Sequence, residues 1–217
     1  MIELDGPSRL PRTGPVRQVV ALLHGVGADG SDLIDLAPML APALPGTAFH
    51  APDAPFPCDM APYGRQWFSL LDRRPAAMLA GIQASAPLLD AWLDAVLARH
   101  GLGPERLALL GFSQGCMMAL HVAPRRAIAP AAVVGISGAL LDGKRLAQEI
   151  RSRPPVLLVH GDADEVVPFG ALAQAEAGLR AAGLSVTAVA RPGLGHGIDP
   201  EGLDAAAQFL AGAFAGG

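Results

Sequence analysis

Ser113 stands in Gly111-Phe112-Ser113-Gln114-Gly115, directly after the apolar run Leu107-Ala108-Leu109-Leu110. A serine between glycines at the end of a buried strand is the pattern of a nucleophile elbow, a sharp strand-to-helix turn that pushes the hydroxyl out at the sheet edge. Cys116, Met117, Met118, Leu120 and Val122 then give apolar cover for a helix that Pro124 stops. A serine hydroxyl is a poor nucleophile until an imidazole removes its proton, and that imidazole needs a carboxylate to fix its tautomer. Both partners follow, each at a strand end. Pro155-Val156-Leu157-Leu158-Val159 reads as a buried strand running into His160-Gly161-Asp162-Ala163-Asp164-Glu165-Val166-Val167-Pro168, with Pro168 placed to open the next helix. Asp164 is taken as the acid and Asp162 as its competitor. The alternating Leu184–Val189 stretch reads as a last strand, and the glycines of Arg191-Pro192-Gly193-Leu194-Gly195-His196-Gly197 let a loop carry His196 inward as the base.

Acyl transfer also needs a place for the oxyanion. The glycine-rich turn His24-Gly25-Val26-Gly27-Ala28-Asp29-Gly30 follows an apolar strand ending at Leu23, and the backbone N–H groups of Val26 and Gln114 are the candidate donors. His24 is expected to hold this turn or to be core. His50, His100, His121 and His160 are read as structural or surface residues; no two have the spacing of a metal centre, so no metal is expected.

In the order serine, acid, histidine, these blocks resemble the phospholipase/carboxylesterase group of α/β-hydrolases, which includes the acyl-protein thioesterases. The resemblance spans nearly the whole chain and is carried by Leu23-His24-Gly25-Val26-Gly27, Gly111-Phe112-Ser113-Gln114-Gly115, His160-Gly161-Asp162-Ala163-Asp164 with Val167-Pro168, and Gly195-His196. It implies a Ser113, Asp164, His196 triad, favouring Asp164 over Asp162. It also implies an oxyanion hole from the Val26 and Gln114 amides, and cofactor-free hydrolysis of carboxylic esters or thioesters. Two departures stand out: Cys116 where members often have glycine or alanine, and Trp67-Phe68-Ser69 where they often have Trp-Phe/Tyr-Asp.

The elements that must position these groups follow an alternating pattern. Strands are expected near 17–23, 46–51, 105–110, 131–136, 155–160 and 184–190, with helices between them, the signature of a parallel sheet with crossover connections. With the resemblance this implies an α/β-hydrolase fold, a mostly parallel sheet with helices on both faces. Helices are expected over 76–99, closed by Gly101, over 166–182, and over 200–214. Between Ser113 and Asp164 there is room for one strand and a short helix around Gly143–Ile150, so no large lid and a shallow site are expected. The substrate wall then falls to the long irregular segment from His50 to Arg74, where Phe56, Met60, Trp67 and Phe68 are expected to form an apolar slot for an acyl or alkyl chain.

Of 217 residues, 51% are hydrophobic and 17% charged, a balance suited to one domain, 1–217, around a sheet buried on both faces. Uncharged stretches such as Leu36–Pro52, Pro75–Leu89 and Ala127–Leu141 fall short of the roughly 18 residues a span requires, so stable membrane insertion is not expected. Met1–Asp5 has neither the basic nor the apolar region of a leader. The two cysteines, Cys58 and Cys116, form no framework, which favours a reducing, cytoplasmic setting. A net charge of −4 with scattered basic residues argues against nucleic acid, and the arginine-, alanine- and glycine-rich usage suggests a bacterial source. The reading at this stage is a serine carboxylesterase for small or medium-chain esters, with a small-molecule ester as its partner and a homodimer as an open possibility. A thioesterase for acylated proteins or acyl-coenzyme A would use the same groups, and a hydrolase-fold binding module would need none of them.

Overall fold

The computed structural model describes residues 4–216. The Met1–Glu3 part of the leader reading lies outside them. Five strands with apolar residues at nearly every position form the interior of the sheet: β2 (Gln18–Leu23), β3 (Thr47–His50), β6 (Leu107–Phe112), β7 (Ala132–Ile136) and β8 (Val156–Gly161). β9 (Val186–Arg191) closes one edge, and the two-residue β1 (Ser8–Arg9) closes the other in the order β1-β3-β2-β6-β7-β8-β9. All pairings are parallel except β1 on β3. Parallel strands must be joined by crossovers that cover both faces, which is why these strands read as continuous apolar runs.

The strand period of two divides the core. Val19, Ala21, Leu23, Leu109, Val133 and Leu158 face one side, where they meet Ile82, Leu89 and Leu93 of α3 (Pro75–His100), Met118 of α4 (Gln114–Val122) and Leu172 and Leu179 of α6 (Gly170–Ala181). Val20, Leu22, Leu110, Val134 and Val159 face the other, against Leu33 and Ile34 of α1 (Gly30–Ile34), Leu40 of α2 (Ala37–Leu40) and Leu203, Leu210 and Phe214 of α7 (Pro200–Ala215). α5 (Gly143–Glu149) adds Leu146 to the first core. The chemistry-bearing loops all leave the carboxyl ends of strands, at one rim, which is where ligands bind in open α/β sheets.

The six expected strands and the long helix agree with this structure to within a few residues. α3 ends where Gly101 takes φ 66°, and it passes through Pro87. By length and composition α3 could cross a bilayer, but its Ile82, Ser85, Leu89, Leu93 and Val96 are buried in the domain. α6 begins at Gly170, not near 166: residues 165–169 form turns, with the Val166 and Val167 amides held by the Asp164 side chain. Three features were not anticipated: β1, the pair α1 and α2, and the hairpin β4 (Phe56–Pro57) with β5 (Arg65–Gln66) inside the segment expected to be irregular. Each is too short for a periodicity to show.

Candidate active site

The elbow is strained where the sequence predicts it. Ser113 has φ 53° and ψ −114°, a conformation costly for a residue with a Cβ, and its N–H donates to the Ile136 carbonyl at 2.9 Å. The turn closes only because both flanking residues lack side chains. A Cβ on Gly111 would overlap the Gly115 carbonyl, and one on Gly115 would overlap the Leu23 carbonyl. α4 starts at the next residue, so its first amides lie beside the hydroxyl.

His196 is held at both ends of its ring. Nδ1 lies 2.8 Å from Asp164 Oδ2, and Nε2 lies 3.0 Å from Ser113 Oγ. Asp164 Oδ1 accepts the N–H groups of Val166 and Val167, both at 2.9 Å, which leaves Oδ2 to face the imidazole. Burial alone would raise the Asp164 carboxyl pKa, but the hydrogen bonds from His196, Val167 and Val166 outweigh it and hold the group below its ordinary range. A carboxylate only accepts, so Nδ1 carries the hydrogen and Nε2 turns a lone pair toward Ser113. The Phe112 ring packs against the imidazole, centroids 5.0 Å apart. Asp162, the competing acid, instead caps the histidine loop: its Oδ1 accepts the Gly193 N–H at 2.7 Å. Ser137, with φ 49°, bonds the Gly197 carbonyl at 3.4 Å and ties the same loop to the end of β7.

Val26 sits in the turn after β2. Among the described residues, neither its N–H nor that of Gln114 has an acceptor, so both are available to an incoming oxyanion. The segment between His50 and Arg74 braces this turn. Gly27 N–H donates to the Arg65 carbonyl and Arg65 N–H to the Ala28 carbonyl, both at 2.8 Å, while the Arg65 guanidinium binds the carbonyls of Ala54 and Pro55. His24 accepts the Ala54 N–H on Nε2 at 2.9 Å and donates from Nδ1 to the Gly25 carbonyl at 2.7 Å; burial lowers its pKa, and its place is in the brace, not in the chemistry.

Two of the four residues expected to line an apolar slot are elsewhere. Trp67 is fully buried and Phe68 is 2% exposed; both belong to the core. The Trp67 indole N–H donates to the His24 carbonyl at 3.0 Å, and its own carbonyl accepts the Ser85 hydroxyl. An aromatic-rich loop looked like a substrate wall, but these two rings are the pegs that fasten it. Phe56 is half-buried in the hairpin and Met60 is 47% exposed, so both stay open to the surface.

Three positioning groups escaped the sequence reading. The Gln114 side chain accepts the Trp67 N–H at 2.8 Å and donates to the Phe68 carbonyl at 2.7 Å, locking the elbow to the bracing segment. Arg65 is the second. The third is His160, read as structural or surface: it is 2% exposed, with Nε2 2.9 Å from the Val167 carbonyl and 3.3 Å from Asp164 Oδ2. Only the position of Gln114 after the serine carried any signal, since the other two act through contacts distant in sequence. His50 and His100 pair with each other at 2.9 Å, away from these loops.

With this geometry in hand, the relatives are informative. The family model described as phospholipase/carboxylesterase matches residues 10–213. The crystal structure of esterase PE8 superposes with a TM-score of 0.94 at 42% identity, covering 98% of this chain and 100% of that one. Esterase YpfH of Escherichia coli (strain K12) is 27% identical over 196 residues, 90% of this chain and 83% of its own length. Acyl-protein thioesterase 2 of Zea mays has a TM-score of 0.74 at 26% identity, covering 96% and 99% of the two chains. The match along almost the whole sequence, on a sheet that carries its reactive groups on the loops typical of that fold, means that this chain belongs to the phospholipase/carboxylesterase family of α/β-hydrolases.

Proposed function

We propose that this carboxylic ester hydrolase acts on small or medium-chain esters through an acyl-enzyme on Ser113. The observation that carries the reading is the His196 ring bridging Asp164 and Ser113 at 2.8 and 3.0 Å. As Oγ adds to the ester carbonyl carbon, its proton passes to His196 Nε2, and the carbonyl electron pair collects on an oxygen facing the Val26 and Gln114 amides. Collapse expels the alkoxide, which takes the proton back from Nε2. Water then adds to the acyl-enzyme by the same route, its proton passing through His196 to Ser113, and the acid leaves. Asp164 keeps its charge throughout and stabilises the imidazolium.

A thioester differs only in its leaving group, and the thioesterase relative keeps that substrate class as a second reading at lower identity. The proposal extends to a single functional domain and to a reducing compartment, the cytoplasm, for which the two unpaired cysteines are the support. A fluorophosphonate should label the protein stoichiometrically and label Ser113→Ala not at all. A parent protein that resists labelling and hydrolyses none of a panel of chromogenic esters would exclude this mechanism.

A further inference from the structure

The acid of the site has a partner that the mechanism does not use. His160, next to last in β8, puts its ring beneath the 162–169 loop, among Leu158, Leu172, Ala175 and Cys116, with Phe169 edge-on at 6.2 Å. Its Nε2 is 2.9 Å from the Val167 carbonyl. A carbonyl can only accept, so this nitrogen carries the hydrogen. The same nitrogen lies 3.3 Å from Asp164 Oδ2, the oxygen that also receives His196 Nδ1–H, while its hydrogen points to the Val167 carbonyl. The Asp164 side chain is fully buried and that of His160 is 2% exposed, so both groups are shielded from bulk solvent.

We propose that His160 is a positioning residue for the acid: its Nε2–H, donated to the Val167 carbonyl, fixes the turn whose Val166 and Val167 amides hold Asp164 Oδ1, and sets the N–H dipole 3.3 Å from the oxygen that faces His196. The inference rests on the triad reading above. Two consequences follow. Without that hydrogen bond the loop that carries Asp164 loses a buried side-chain tether from β8, and the carboxylate can turn away from the imidazole. Where it stays in place, Oδ2 becomes a stronger acceptor, the imidazolium is better stabilised, and His196 holds its proton to higher pH. The titratable groups near this cluster are few. The elbow contributes Ser113 and α4 contributes Cys116, the acid loop contributes Asp162 and exposed Glu165, and the histidine loop contributes His196, while α6 and β7 bring only apolar or glycine residues to the ring.

The test uses geometry that only a positioning role would sense. A glutamine amide nitrogen reaches about as far from the backbone as imidazole Nε2, whereas that of asparagine stops near the position of Nδ1. In His160→Asn and His160→Phe, kcat should fall about 3- to 10-fold with KM within about twofold, the range expected for losing one hydrogen bond that holds the acid's loop. The acid limb of kcat/KM should move up by about half a pH unit. His160→Gln should recover most of the lost kcat and restore the limb. Leu172→Ala, which loosens the same packing without touching Asp164, should lower stability and leave the limb where it is. Should His160→Phe fail to fold, the comparison of the asparagine and glutamine variants decides. The inference is overturned if glutamine is no better than asparagine, if the acid limb is unmoved, or if Leu172→Ala moves it equally. Fluorophosphonate labelling of the parent separates the two levels: no labelling removes the triad and this inference together, whereas normal labelling with an unmoved His160 series removes only the inference.

Discussion

Replacing Asp164 with asparagine tests the site in one atom. The Val166 and Val167 N–H groups demand an acceptor, so the asparagine oxygen must take the place of Oδ1, which forces its NH2 to the place of Oδ2. That nitrogen then confronts His196 Nδ1 at about the present 2.8 Å as a donor, and the imidazole can answer only by giving up its Nδ1 hydrogen and carrying it on Nε2. In that tautomer Nε2 points a hydrogen, not a lone pair, at Ser113 Oγ 3.0 Å away, and it cannot accept the serine proton. The same exchange in the serine-protease template lowers kcat about 10⁴-fold, about 5 kcal/mol in the barrier, and a loss of that size is expected here. The fold should survive, because the side chain keeps its shape and two of its hydrogen bonds; a cost of about 1–2 kcal/mol would lower Tm by roughly 2–8 °C for a chain of this size. The assay is kcat on a chromogenic short-chain ester beside the thermal melt of the same sample. A variant keeping more than about 1% of kcat, or one inactive because it no longer melts cooperatively, would refute the tautomer reasoning.

Three further outcomes can be checked. Gln114→Ala leaves the buried Trp67 N–H and Phe68 carbonyl without partners, which should cost about 2–5 kcal/mol in urea unfolding; a variant as stable as the parent would show that the brace is dispensable. His50 and His121 are each lowered to about 4, first by burial and then by neighbouring positive charge, His100 and Arg99 for the one and Arg125 for the other. The unfolded chain takes up these protons first, so their contribution is complete above pH 6.5 and is lost as pH falls through 4, about 1–3 kcal/mol per histidine after solvent screening; unfolding free energies flat from pH 7 to 4.5 in His50→Gln and parent alike would contradict this. Burial raises the Cys116 thiol to about 12, while Cys58 is half-exposed, so one thiol should react with a disulfide reagent in native protein and the second only in denaturant.

The sequence by itself determined the sheet and the places of the serine, acid and histidine proposed to react. Continuous apolar runs such as Leu107–Leu110 and Val156–Val159 can satisfy their backbones only as buried parallel strands, and a serine between Gly111 and Gly115 at such a strand's end has little choice of conformation. Asp164 and His196 were legible for the same reason, since each follows a run of that kind. Tertiary structure alone decided what holds them. Trp67 and Phe68 looked like binding residues because an aromatic in a loop has no periodicity to say which way it faces. Only the core they share with Ile82 and Leu89, and the Gln114 amide bonded to both of their backbones, turned them inward. His160 was legible as a strand residue, but its hydrogen bond to the Asp164 loop depends on where Val166 and Val167 turn back, and that is set by the acid's own side chain. Local propensity reads residues a few positions apart, whereas the orientation of each supporting group here is fixed by a partner that the chain brings near only after the sheet has formed.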